Sequence, residues 1–311
     1  MLFDDANLLE VRPSGDQGSA NQAASTRDFV NQFDPRLTPA RGDLAAKHLE
    51  GRIAAERFVA GELREIAEPQ TPVRRVPSPE APLDTEALEG ERVTVYEISE
   101  EGWAWGQLAS DGYVGYLSAN ALRPVGPALT HKVAAARTLV FPGPSIKLPP
   151  LCGLPLGARL AVARIAAPFA ITTTGGCVPL QHLVPVDAIE NDYVDVAERF
   201  LHAPYLWGGK TALGLDCSAL VQVALSACGR SCPRDSDLQE KTLGAALAAP
   251  DLTDPHRGDL MFWKGHVAIV RDRGTLIHAN AFHMAVTVEP IAAAVERIAA
   301  SGFQLTSVRR L

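Results

Sequence analysis

Cysteine is scarce: five residues, Cys152, Cys177, Cys217, Cys228 and Cys232, are spread over 311 positions. An odd, thinly scattered set is not a disulfide framework and suits a reducing compartment. Cys228 and Cys232 lie four apart with no second pair near them, so a structural zinc site is not expected, nor any other metal or cofactor. No run approaches the roughly 20 apolar residues a membrane helix needs; the longest mostly apolar stretch, 156–171, is interrupted by Arg159, Arg164 and Pro168, which excludes a membrane-spanning protein. The first residues, MLFDDANLLE, carry two aspartates where a signal peptide carries basic residues, and no apolar run of signal-peptide length follows. A cytoplasmic protein is expected. Blocks of like charge are also missing: 29 basic and 36 acidic residues are interspersed, giving a net charge of -7, and no basic cluster with interleaved aromatics offers a surface to nucleic acid.

What is present is a soluble chain with 47% hydrophobic residues, long enough for two or three compact units. Residues 1–33 are polar and aperiodic and read as a disordered tail. Residues 34–64 form a proline-punctuated connecting arm with a short amphipathic piece at 43–49. From 65 to 126, short β-type runs (ELREIAE, ERVTVYEIS, GWAWGQLA, DGYVGYLSANAL) are separated by turn residues, which predicts a small β-barrel. Within GWAWGQL, Trp103, Trp105 and Gln107 alternate with Ala104, Gly106 and Leu108, so both tryptophans share one strand face. The stretch resembles a bacterial SH3 domain through Gly102–Leu108 and Gly112–Leu117. Residues 127–188 repeat the design less clearly: GGCVPLQHLVPV echoes DGYVGYLSANALRPV. They are read as a second, diverged SH3-like barrel, with one larger β-domain as the alternative.

From 189 to 311 the pattern turns to helices followed by strands. YVDVAERFL has near-helical apolar spacing and is expected to stop before Pro204. In DCSALVQVALSACG, Leu220, Val221, Ala224, Leu225 and Cys228 recur at three and four residues and Gly229 supplies a stop, so a buried helix starts beside Cys217. GDLMFW, GHVAIVRD, TLIHAN and MAVTVEP read as successive antiparallel strands, with a last helix near 291–300.

Cys217 at a helix N-terminus has unpaired backbone N–H groups near its sulfur, an arrangement expected to lower the thiol pKa and to stabilise an oxyanion in acyl transfer. A small apolar residue on a buried face is the competing reading. A thiol nucleophile needs a base, and His266 stands at a GH turn entering an apolar strand. With a turn near 272, His278 comes roughly opposite His266, so one imidazole orients the other. Asp216 beside the thiol raises its pKa by itself, so this carboxylate must cap the helix or bind a cationic substrate group.

The successive blocks YLWGGKTALGLDCSALVQVAL, CPRDSDLQ, RGDLMFWKGHVAIV and TLIHANAF resemble the signature blocks of the NlpC/P60 cysteine peptidase family. The resemblance implies an α+β architecture: a circularly permuted papain-like catalytic domain preceded by two small SH3-like β-barrels. It also implies Cys217 as nucleophile, His266 as general base and His278 as the orienting third member. Tyr205 and Trp207 match a wall of the cleft. Asp216 and Ser218 match positions that, in SH3-bearing members, help bind the free amino group of an N-terminal L-Ala, and Arg234 and Ser236 match a block beside the site. Ala219 departs from the glycine usual after Cys-Ser and could narrow the approach to the thiolate. The implied activity is hydrolysis of γ-D-glutamyl-diamino-acid bonds in peptidoglycan stem peptides, in cell-wall peptide recycling. The alternatives are an amidase or acyltransferase on the same fold, or a noncatalytic SH3-type peptide-binding protein.

Overall fold

The computed structural model describes residues 33–247 and 254–311; the expected tail lies, but for Phe33, outside the described residues. The first barrel is a seven-stranded sheet of β1 (Glu62–Ile66), β2 (Gln70–Arg74), β3 (Leu83–Leu88), β4 (Arg92–Ile98), β5 (Trp103–Leu108), β6 (Val114–Ser118) and β7 (Leu122–Pro124), ordered β3-β2-β6-β5-β4-β1-β7. It begins three residues before the expected boundary at 65. Alternation sets its two faces. Val93 and Val95 of β4 and Ala104 and Leu108 of β5 point inward with Ile66, Val73 and Leu117. Trp103, Trp105 and Gln107 point outward.

That aromatic face is not left to solvent, because the arm lies across it. The Arg41 guanidinium stacks 4.4 Å above the Trp105 ring, donates to the Tyr116 hydroxyl at 2.8 Å and pairs with Glu97 at 2.5 Å, while Gln107 Nε2 donates to the Leu37 carbonyl. Trp105 is thereby buried. The amphipathic piece expected at 43–49 is a strand, Leu44–Ala46, running into a 3-10 turn, Lys47–Leu49; the strand pairs in parallel with Arg57–Val59 and is buried on both sides. Its two alanines leave room for the close approach of its neighbours.

The second β unit has its own core around Val133, Leu154, Ala158, Ala170 and Val178. It is built from three small sheets rather than one large one. The sequence echo has a structural counterpart: Val114–Ser118, a 3-10 turn at Ala119–Ala121 and Leu122–Pro124 in the first barrel correspond to Cys177–Pro179, a turn at Leu180–His182 and Leu183–Pro185 in the second.

In the last unit α1 (Tyr193–Glu198) is capped by Asp192, which accepts from Val194 N at 2.8 Å. It stops six residues before Pro204. The chain winds on through i→i−3 bonds and then takes a positive φ of 69° at His202, whose N–H donates to Val286, so docking onto a strand, not proline, ends it. α2 (Cys217–Ala227) has buried residues from Cys217 through Leu225, as its apolar surround requires, and Gly229 at φ 71° lets Arg230 N donate back to Leu225. α3 (Ser236–Thr242) was not legible in periodicity. A six-stranded antiparallel sheet of β8 (Leu260–Trp263), β9 (His266–Val270), β10 (Thr275–Asn280), β11 (Ala285–Pro290) and β12 (Leu305–Arg310), with Ala245–Ala246 at one edge, packs one face on α2 and the other on α4 (Ile291–Ala300). The terminal strand β12 inserts beside β8, so the chain's end lies inside the sheet's order. No helix among the described residues is long and apolar enough to cross a membrane.

Candidate active site

Asp216 is the N-cap of α2, its Oδ1 accepting from Ala219 N at 2.9 Å, so Cys217 occupies the first helical position as expected. The Val267 backbone N–H, one residue after His266, acts on the sulfur, which places the thiol at the start of β9, the strand that His266 opens. Its ionisation differs from the sequence expectation. Burial, with the neighbouring Asp216 charge, pushes the Cys217 thiol up to about 12, outweighing the Val267 and Ser218 N–H groups and Arg234 that act the other way. The helix dipole is too weak an opponent for a thiol only 6% exposed. Burial, then the nearby His278 and Arg297, pushes His266 down to about 3. The resting cleft therefore holds a neutral thiol and a neutral imidazole.

The two histidines are in contact, with His266 Nε2 and His278 Nδ1 2.8 Å apart. They are not directly opposite. The register Ile269↔Ile277 and Val270↔Leu276 would set position 280 against His266, because the turn lies one residue later than 272; the two imidazoles meet along a diagonal of one face. A second diagonal follows, from His278 Nε2 to Glu289 Oε1 at 2.6 Å, and Glu289 in turn pairs with Arg297 of α4.

This chain fixes the tautomers. Burial opposes the charge of Glu289, but His278 and Arg297 hold it down to about 2, so it accepts only. Burial pushes the pKa of His278 down against the pull of Glu289, leaving it neutral, and it must donate from Nε2. Its bare Nδ1 then accepts the His266 Nε2 proton, which leaves His266 Nδ1 with the lone pair. The arrangement can take a proton from a thiol. Glu289 and Arg297 were missed in the sequence, although strand alternation carried a signal: Thr287, opposite His278, and Glu289 are two apart in β11 and share its face.

A cleft of ≈ 260 Å³ opens over Cys217, and Tyr205, Trp207, Asp216, Ser218 and Ser236 line it. Trp207 is 65% exposed at the rim. Gly208, at φ 77°, lies so near the Leu83 carbonyl of the first barrel that a Cβ there would collide with it, which leaves no space for a side chain. Arg234 is placed differently from the expectation: it is 1% exposed, lies behind the cleft wall and donates to both Asp216 oxygens at 2.9 and 2.8 Å, to Ser218 Oγ, to the Gly209 carbonyl and to Thr85 Oγ1 of the first barrel. It joins two units instead of facing substrate. Asp216 also accepts from Gly208 N, Ser218 Oγ and Ala219 N, so it is a cap and half of a buried ion pair. Ala219 is fully buried and its methyl does not reach the cleft.

The far end of the cleft comes from elements that no local motif announced. Arg75, Asp84 and Tyr113 of the first barrel and Arg36 of the arm also line it, with Asp235, Asp237 and Gly265. Arg36 pairs with Asp34, Asp235 and Asp237 at 2.7–2.8 Å, tying the arm to the mouth of the site. Among the described residues no group of three or more His, Cys, Asp or Glu is placed to hold a metal.

Residues 73–122 match the bacterial dipeptidyl-peptidase Sh3 domain and residues 202–298 the NlpC/P60 family. A γ-D-glutamyl-L-lysine dipeptidyl-peptidase of Bacillus subtilis is 31% identical over 224 residues, covering 63% of this chain and 72% of that protein. A dipeptidyl-peptidase 6 of Lysinibacillus sphaericus is 32% identical over 100 residues, 32% of this chain and only 36% of that protein's length. A solved NlpC/P60 family protein from Bacillus cereus superposes with a TM-score of 0.66 at 19% identity, covering 80% of this chain and 99% of that one, a likeness of fold.

Proposed function

The chain belongs to the NlpC/P60 family of cysteine peptidases, carrying a bacterial SH3 domain, and on that premise we propose that it hydrolyses the γ-D-glutamyl-diamino-acid bond of peptidoglycan-derived peptides with a free N-terminal L-Ala. In this reading Cys217 Sγ attacks the carbonyl while its proton passes to His266 Nδ1, and His278 and Glu289 steady the imidazolium that forms. Backbone N–H groups at the start of α2 face the oxyanion. The proton then returns from His266 to the leaving amine, and water, deprotonated by the same nitrogen, releases the acyl group from sulfur.

The observation that carries the end-selective part is the lining of the cleft: Asp84 and Tyr113 of the first barrel and Arg36 of the arm stand in the same cleft as Cys217, where they would limit how far a substrate extends on that side. A free ammonium needs a carboxylate there. Asp216, matched to that role by resemblance, already serves Arg234 and the cap, whereas Asp84 has only the exposed Arg75 at 3.2 Å. Asp84 is accordingly our ammonium partner, with Tyr113 beside it. The absence of disulfides among five free cysteines suits a reducing compartment and supports cytoplasmic peptide recycling. Mass spectrometry of products from L-Ala-γ-D-Glu-diaminopimelate peptides, with and without an acetylated N-terminus, tests the proposal. Release of L-Ala-γ-D-Glu from the free peptide alone is expected; equal cleavage of both would point to an endopeptidase.

A further inference from the structure

Behind α2, at the end remote from Cys217, the two barrels and the last unit enclose an open cavity of ≈ 460 Å³. Its size falls in the range of small-molecule sites, roughly 300–1,000 Å³. One wall is apolar, formed by Val133, Leu156 and Val223. The charges around it do not balance. Lys210 is spent on Glu91 at 3.3 Å, Arg199 on Glu190 at 2.8 Å, and Asp111 takes the Gln222 amide at 2.9 Å. Lys132, Arg159 and Arg230 also line the cavity, and among the described residues none has an ion-pair or hydrogen-bond partner for its side chain.

Lys132 and Arg159 sit on paired strands, Lys132 directly opposite Arg159. Like charges directly opposite in an antiparallel pair are destabilising. Burial and then the Arg159 charge push the Lys132 pKa down, against Glu190 and Asp187. The backbone beneath the pair is fixed, since the Arg159 N–H donates to the Glu89 carbonyl at 2.8 Å and the residue packs on Gly90. Two cations opposite each other on paired strands at the edge of a half-apolar cavity form a place for an anion.

We propose that this junction cavity is a second binding site, separate from the cleft, for a small organic acid whose carboxylate bridges Lys132 and Arg159 and whose apolar body lies on Val133, Leu156 and Val223. The full chain carrying Cys217→Ala, which cannot turn over peptide, would be titrated calorimetrically with N-acetyl-D-glutamate, its neutral diamide and inorganic phosphate. N-acetyl-D-glutamate lacks a free amine and so does not satisfy the cleft as read above. Binding of the acid but not the diamide is expected, weakened about tenfold or more by Lys132→Gln with Arg159→Gln. The same double variant should melt at an equal or higher temperature than the parent without ligand, because it removes a repulsion, and should lose the shift caused by the acid. Equal affinity in the double variant, equal binding of the diamide, or no heat and no melting shift at millimolar acid overturns the site. Binding of phosphate but not of the acid overturns the organic ligand.

Discussion

Glu289→Gln tests the tautomer chain with one nearly isosteric change. In the wild type an ionised carboxylate accepts from His278 Nε2 at 2.6 Å, and this forces the proton order that leaves His266 Nδ1 bare. An amide can accept or donate. When it donates, His278 carries its proton on Nδ1, His266 Nε2 must accept, and the remaining His266 proton moves to Nδ1, where it blocks the thiol. The charge that steadies the imidazolium is lost as well. A charge-assisted bond is worth about 1.5–3 kcal/mol against about 1 for a neutral one, so the difference of roughly 0.5–2 kcal/mol predicts a fall in kcat of about two- to thirtyfold with KM unchanged. Product release from L-Ala-γ-D-Glu-diaminopimelate, followed by chromatography, measures this. A substrate-free check is the rate of Cys217 alkylation by iodoacetamide between pH 6 and 10: it should rise with pH, since the thiol is pushed up to about 12, and run slower in the variant throughout. Glu289→Asp, which keeps the charge, should recover part of the loss. A Glu289→Gln enzyme with wild-type kcat and wild-type alkylation would show that the chain of function ends at His278.

Cys217→Ala should abolish turnover while leaving the melting temperature within a few degrees, because an alanine fits the buried first turn; substantial residual hydrolysis would refute a sulfur nucleophile. Asp216→Asn should destabilise by about 3 kcal/mol or more, since it leaves Arg234 buried beside a neutral partner, and thermal denaturation reads that directly; an unchanged melting curve would mean the buried ion pair does not contribute to stability. Glu89, half-buried between the barrels, is raised to about 7 by its loss of solvent, against the pull of Arg123. The folded state therefore binds its proton more tightly than the unfolded chain, and this contribution to stability, full below about pH 4.5, is lost as pH rises through 7. Glu89→Gln should accordingly raise the melting temperature at pH 8 and leave it unchanged at pH 4; equal effects at both would contradict the assignment.

Cys217, His266 and His278 could be read from the sequence because each is tied to a local element. A cap and a helical period start α2 at the cysteine, and two apolar strands separated by a turn bring the histidines to one face. Glu289 was within reach of the same alternation, but a strand shows which residues share a face, not which of them touch across a diagonal. Register was likewise a residue beyond what turn residues define, and α3, short and polar, left no periodic trace. The thiol's ionisation was decided mainly by tertiary structure: the helix N-terminus and the adjacent Asp216 are local features, while burial, the largest cause, depends on what packs around the thiol. The part of the cleft lined by Arg36, Asp84, Tyr113 and Asp235 belongs wholly to the tertiary level, since these residues lie up to about two hundred positions apart and meet only because the arm and first barrel fold back on the last unit. Sequence periodicity fixes faces and caps, which are short-range; charge, burial and enclosure depend on neighbours that only the packed chain supplies.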